Sequence, residues 1–182
     1  MKTRIHIWVC ALLLSGFGHA GAQSDSRSWI AAGITYGGWL DKGYKDNTFD
    51  LRPGYKFEFA QKFDNAFGIV WYSYGGYNST NHVGESAVPT RFHHHLWELR
   101  YYLVDDKIDV YGSFGMGFGA MRLRGMEGKD RYLMIPVGAG LQYAFKKLQF
   151  EVFVKPYWAR GNQLYHRFGF ESGLMVGYLL SD

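Results

Sequence analysis

The run Leu148-Gln149-Phe150-Glu151-Val152-Phe153-Val154-Lys155-Pro156-Tyr157-Trp158 decides the fold. Leu148, Phe150, Val152, Val154 and Trp158 fall on one side of a two-residue period. Gln149, Glu151 and Lys155 fall on the other. Successive side chains of a strand point to opposite faces, so this period predicts a strand whose faces meet different surroundings.

The same alternation recurs outward in both directions. Phe168–Leu180 sets Phe168, Phe170, Leu174, Val176 and Tyr178 against Gly169, Glu171, Gly173 and Gly177. Tyr132–Phe145 sets Leu133, Ile135, Val137, Ala139, Leu141 and Tyr143 against Gly138, Gly140 and Gln142. Ile108–Met121 and His94–Val104 repeat it, the latter with Trp97, Leu99, Tyr101 and Leu103 opposite Glu98, Arg100 and Tyr102. Pro53–Gln61 places Tyr55, Phe57 and Phe59 opposite Lys56, Glu58 and Ala60. Trp29–Leu40 follows the pattern, and Ala66–Tyr74 is aromatic on both faces. The segments are close to the ~9–11 residues with which a tilted strand crosses a bilayer, and beyond the N-terminal leader no apolar run reaches the ~18 of a spanning helix.

Eight such strands alternate between long and tight connections. Asp41–Arg52, Gly75–His93, Arg122–Arg131 and Ala159–Arg167 are long, whereas Lys62–Asn65, Asp105–Lys107 and Lys146–Lys147 are tight. Long loops at one end and short turns at the other predict an all-β fold: an eight-stranded antiparallel up-and-down transmembrane barrel inserted from the periplasm. A soluble barrel shows the same period with its faces reversed, so the contents of the faces must choose. The apolar face is bulky and carries no charge, with Tyr55, Trp97 and Trp158 toward the long loops and Tyr143 and Tyr178 toward the turns. These read as two aromatic girdles. The opposite face is small and glycine-rich, with Lys56, Glu58, Glu98, Arg100, Glu151, Lys155 and Glu171 as its charges. Such near-balanced charges suit a narrow interior closed by ion pairs, because a buried unpaired charge costs several kcal/mol.

On strand number, loop asymmetry and these interior charges, Ser28–Leu180 resembles the small outer-membrane barrels of the OmpA and OmpX type. The resemblance implies a porin-like architecture with a filled, non-catalytic interior and surface loops that serve structural, adhesion or binding roles. It also implies outer-membrane lipids and lipopolysaccharide as surroundings, and the barrel-assembly machinery as a partner during biogenesis. That machinery reads a terminal aromatic residue in such chains. Here the sequence ends Tyr178-Leu179-Leu180-Ser181-Asp182, which leaves Tyr178 or Phe170 for the role.

The chain has 182 residues with a net charge of +4. That balance is too weak to imply a nucleic-acid partner. Hydrophobic residues make up 47% and aromatic ones 19%, and Gly numbers 24, which excludes a disordered chain and favours strands. Residues 1–22 have the layout of a cleavable signal peptide, with Lys2 and Arg4, an uncharged run from Ile5 to Phe17, and Ala20-Gly21-Ala22 before Gln23. The remaining 23–182 are expected to form a single monomeric barrel domain in the bacterial outer membrane. The one cysteine, Cys10, leaves with the leader, so disulfides and thiolate chemistry are excluded from the mature chain.

Motifs for chemistry are weak. In His93-His94-His95 only His93 and His95 share a face, and a third metal ligand would have to come from His82, His166 or a carboxylate across the mouth. The bland alternative is a polar strand end at headgroup level. Gly115-x-Gly117-x-Gly119 lies within a strand, so it is not a dinucleotide loop. A lipid A deacylase of the PagL type resembles this chain in size and carries a His-x-Ser pair on a strand, which does not occur here. A lipid-modifying enzyme therefore requires a Ser and a His meeting from different strands. A soluble lipocalin-like binder remains a third alternative. No catalytic residue, metal or cofactor is expected. Asn78-Ser79-Thr80 reads as turn-forming loop residues, and Asp105-Asp106 as a solvated turn. Any specific binding is assigned to the Gly75–His93 loop, through Tyr77, His82, Arg91 and Phe92.

Overall fold

Where Phe, Leu and Val alternate with Gly and charge, the chain forms strands, and each strand finds its next neighbour in sequence. The computed structural model describes residues 26–39, 52–63, 66–83, 86–104, 108–122, 130–161 and 166–181, without the side chains of 39, 52, 77–91, 104, 121–122, 130, 166–167 and 181. Its elements are β1 (Arg27–Trp39), β2 (Arg52–Phe63), β3 (Phe67–Val83), β4 (Ser86–Val104), β5 (Ile108–Arg122), β6 (Asp130–Phe145), β7 (Leu148–Gly161) and β8 (His166–Ser181). All pair antiparallel in chain order, and β8 returns to β1 to close the barrel, with Ile34 opposite Leu174. Closure leaves no sheet edge, so every strand has a neighbour on both sides for its backbone hydrogen bonds.

Side-chain direction settles the choice between membrane and soluble barrels. Phe114 (54%), Val152 (52%) and Leu174 (57%) are exposed on the outer wall, while Lys56, Arg100 and Lys155 are fully buried within. Apolar groups outside and charges inside is the arrangement of a membrane barrel; the lipocalin-like alternative requires the reverse. Tyr55, Trp97, Tyr143 and Tyr178 all lie on the outer wall, as the girdle reading requires.

The strands are longer than the sequence pattern indicates, most of all around the expected 75–93 loop. β3 runs to Val83 and β4 starts at Ser86, with Gly75 opposite His93, Tyr77 opposite Arg91 and Val83 opposite Ser86. The segment is thus an extended hairpin rather than a long loop. Apolar alternation marks only the part of a strand that borders lipid, whereas the hydrogen-bond ladder continues wherever two polar strands stay in register. Asn78-Ser79-Thr80 is not a turn either: the β3–β4 register shifts between Asn78 and Asn81, which is a bulge within the ladder.

Lumen glycines make room for rings from the next strand. A Cβ on Gly119 would lie 2.3 Å from the Tyr132 ring, and one on Gly140 2.4 Å from that of Tyr111. The Gly115-x-Gly117-x-Gly119 run is therefore a packing feature of the interior. At the opposite end, the two-residue β6–β7 turn holds Lys146 at φ 54°, in the left-handed region.

Candidate functional site in the barrel lumen

Alternate positions of β2, β4 and β7 direct Glu58, Glu98, Arg100 and Glu151 to the barrel axis. Arg100 stands at the centre. Its Nε donates to Glu98 Oε1 at 2.9 Å and its Nη2 to Glu58 Oε2 at 2.7 Å. Nη1 and Nη2 form a fork on Glu151, at 3.0 Å to Oε2 and 3.1 Å to Oε1. Lys155 Nζ reaches Glu98 Oε2 at 2.6 Å, and Lys56 Nζ lies 3.3 Å from Glu58 Oε2.

Neutral donors complete the carboxylates. The Tyr111 hydroxyl donates to Glu151 at 2.7 Å, Gln142 Nε2 to the same group at 2.8 Å, and Trp29 Nε1 to Glu58 at 3.2 Å. Aromatic faces cover the cations: Lys56 lies 4.2 Å from the Tyr72 ring centre and 4.0 Å from that of Phe153, and Arg100 lies 4.3 Å from that of Tyr111. Charges removed from water need this combination of opposite charge, hydrogen bonds and polarizable faces.

Six of the seven residues assigned to the interior network come together in this cluster. The seventh, Glu171, is equally buried but makes no ion pair with another described residue. It faces Lys155 in the register, yet Lys155 turns to Glu98. Sequence reasoning missed the second pair, Lys62 with Asp109 at 3.2 Å, because Lys62 was assigned to a turn. It also missed Trp29. Lys62 shares the parity of Lys56 and Glu58 on β2, and Trp29 that of the small-residue face of β1, and that was the available signal.

Toward the long-loop end the lumen becomes aromatic. Tyr74, Phe92 and His94 pack with ring centres 5.1–5.3 Å apart. His94 Nε2 is hydrogen-bonded to the Tyr132 hydroxyl, and the Tyr157 hydroxyl donates to Gly38 O at 3.4 Å. Phe92 is consequently an interior residue, which corrects its assignment to a binding loop: at a position sharing the parity of His94, its ring escapes water by turning inward. The side chains of Tyr77, His82 and Arg91 lie outside the described residues.

The three histidines divide as the strand period requires. His94 is inside; His93 and His95 are on the outer wall. Among the described residues no three His, Cys, Asp or Glu side chains gather as a metal would need. The structure does set Ser73 opposite His95 in the β3–β4 register, a pairing invisible in either strand alone. The His95 ring instead stacks on Trp71, 6.3 Å between centres and 11° between planes. No hydrogen bond joins it to Ser73. Every carboxylate whose side chain is described faces the lumen, so none orients that imidazole. A nucleophilic serine needs both relationships.

A closed ring of eight strands with an apolar wall and an ionic bore defines the class: the chain has the fold of the small eight-stranded outer-membrane barrels. No family model matches it, and no curated protein matches it in sequence. Solved structures do. Neisserial surface protein A is similar at a TM-score of 0.60 and 8% identity, over 86% of this chain and 99% of that one. The N-terminal barrel domain of OprF from Pseudomonas aeruginosa gives 0.56 and 15%, over 87% and 100%. Ail, the attachment invasion locus protein of Yersinia pestis, solved with the heparin analogue sucrose octasulfate, gives 0.53 and 16%, over 87% and 100%.

Proposed function

We propose that this chain is a non-enzymatic outer-membrane protein, exported by a signal peptide at 1–22 and folded over 23–182 as a monomeric barrel. Its bore is filled by the Arg100-centred network, and its loops and the extended β3–β4 hairpin are the parts available for structural, adhesion or binding roles. The observation that carries this reading is the pairing of an apolar outer wall with buried charges within one closed sheet. Lipid replaces water against Phe114, Val152 and Leu174, and the buried ions are held by one another instead of by solvent.

The network and the aromatic plug above it support a closed bore. Arg100 is bonded to three carboxylates, and Tyr74, Phe92, His94, Tyr132 and Tyr157 occupy the section nearer the long loops. Lipopolysaccharide around the barrel and the assembly machinery during insertion are the partners of this reading.

The test is refolding of 23–182 into phosphatidylcholine vesicles followed by gel migration with and without boiling. A compact, fast-migrating unboiled band and no ion conductance across a planar bilayer are expected. Identical migration before and after boiling refutes the membrane barrel, and steady conductance refutes the filled bore.

A further inference from the structure

The outer wall carries a charged patch that the lumen does not explain. Tyr55, Gly75, His93, Ala120 and Arg131 are successive register partners across β2 to β6, forming one row near the long-loop end. Arg160 on β7 is the register partner of Leu133, which places it diagonally beside Arg131, about 7 Å away on the sheet. His93, Arg131 and Arg160 are all exposed. Beneath them the wall turns apolar at once, with Phe118, Met116 and Val137 exposed.

Several features make this more than scattered surface charge. Every described carboxylate points into the lumen, so Arg131 and Arg160 have no counter-charge on the wall among the described residues. Among the described residues the patch is also confined to one sector. On β1 and β2 the corresponding end presents Tyr36, Pro53 and Tyr55 instead. His93 is held in place, because the Tyr55 hydroxyl meets its Nδ1 at 3.3 Å across Gly75. A Cβ on Gly75 would lie 2.5 Å from that hydroxyl, so the missing side chain is what permits the contact. A neutral ring accepting at Nδ1 carries its proton on Nε2 and offers a donor there. Between His93 and Arg131, two strands or about 10 Å apart, only the methyl of Ala120 rises from the wall.

We infer that His93, Arg131 and Arg160 form a binding site for the phosphate groups of an acylated, phosphorylated glucosamine lipid in the outer leaflet. The inference rests on the membrane reading above. A phosphate over Ala120 stands between an imidazole N–H and a guanidinium fork, and the second guanidinium extends the site to a further phosphate oxygen or group. Acyl chains then continue down Phe118, Met116 and Val137. A zwitterionic phospholipid fits less well, because its own ammonium offsets the phosphate charge that two arginines would neutralise.

The full chain refolded in phosphatidylcholine nanodiscs is titrated with lipid A and, separately, with phosphatidylglycerol at matched charge. Arg131→Gln/Arg160→Gln is compared with Lys146→Gln/Lys147→Gln, which alters the opposite end. The arginine pair is expected to lose about tenfold or more in apparent lipid A affinity, the worth of charge-assisted hydrogen bonds. The lysine pair stays within twofold of wild type. Superimposable titrations for wild type and the arginine variant overturn the site. Equal affinity for phosphatidylglycerol and lipid A overturns the glycolipid as its occupant. If the glutamine pair does not fold, Arg131→Lys/Arg160→Lys decides: it keeps the charge and loses the fork, so weaker binding supports the site and unchanged binding overturns it. Boiled and unboiled gel lanes accompany each sample. A wild type that never folds into lipid removes the membrane reading and the site together, whereas a folded wild type that ignores lipid A removes the site alone.

Discussion

Arg100 and Glu151, 51 residues apart on β4 and β7, meet in a two-pronged pair at 3.0 and 3.1 Å near the axis of the barrel. The same guanidinium also holds Glu58 and Glu98. One planar cation thus ties three strands together across the lumen, a geometry that a lysine point charge does not reproduce.

Removing that cation should be among the most damaging single changes. Arg100→Leu strips Glu151 of its ion pair and leaves Glu58 and Glu98 with one lysine contact each. The expected loss is about 3–5 kcal/mol, measured by urea unfolding in detergent followed by tryptophan fluorescence. Arg100→Lys should lose less than Arg100→Leu, since the charge remains while the fork is lost. Equal midpoints for wild type and Arg100→Leu would show that the network does not hold the strands.

Glu171 and Glu98 should behave differently although both are buried carboxylates. Four carboxylates share the central lumen with three cations, and Glu171 is the one outside the ion-pair cluster. Glu171→Gln therefore removes a carboxylate that holds no ion pair with another described residue and is expected to leave stability unchanged or raise it. Glu98→Gln disconnects Lys155 and one arm of Arg100, and should cost about 3 kcal/mol. Parallel unfolding curves test this, and an equal loss in both variants would contradict the assignment.

The outer wall makes a prediction of opposite polarity. Leu174 is mid-strand, 57% exposed, with Ile34 and Val152 as its register neighbours. Leu174→Arg should destabilise the vesicle-inserted barrel by about 2–4 kcal/mol, the cost of a guanidinium near the bilayer midplane. A soluble barrel would tolerate the same change on an exposed site within about 0.5 kcal/mol. Folding titrations into phosphatidylcholine vesicles separate the two outcomes.

The tight β6–β7 turn offers a stabilising change. Lys146 carries φ 54°, a conformation that costs a residue with a Cβ roughly 1–2 kcal/mol and glycine almost nothing. Lys146→Gly is expected to recover about 1 kcal/mol of this, read as a later unfolding midpoint. An earlier midpoint would mean that contacts of the lysine outweigh its backbone strain.

Much of the architecture was legible in the sequence because it follows from local periodicity. Alternation of Phe150, Val152 and Val154 with Glu151 and Lys155 requires a strand with two unlike faces, whatever the rest of the chain does. The composition of those faces then indicates which one meets lipid. Strand ends were less legible: β3 and β4 continue past the apolar band as a ladder that leaves no hydropathy signal, and Phe92 passed from an expected loop to the interior for that reason.

The sequence by itself thus determined the strand number, the direction of each face and the charges at the centre of the bore, though not the Lys62–Asp109 pair, since these depend on residues one or two positions apart. Only the closed sheet decided who meets whom. Arg100 takes Glu151 rather than its own neighbours alone, Lys155 takes Glu98 and leaves Glu171 aside, and Ser73 comes to face His95. Those relationships depend on register and on distances across the lumen, which couple positions dozens of residues apart and leave no mark on either strand alone.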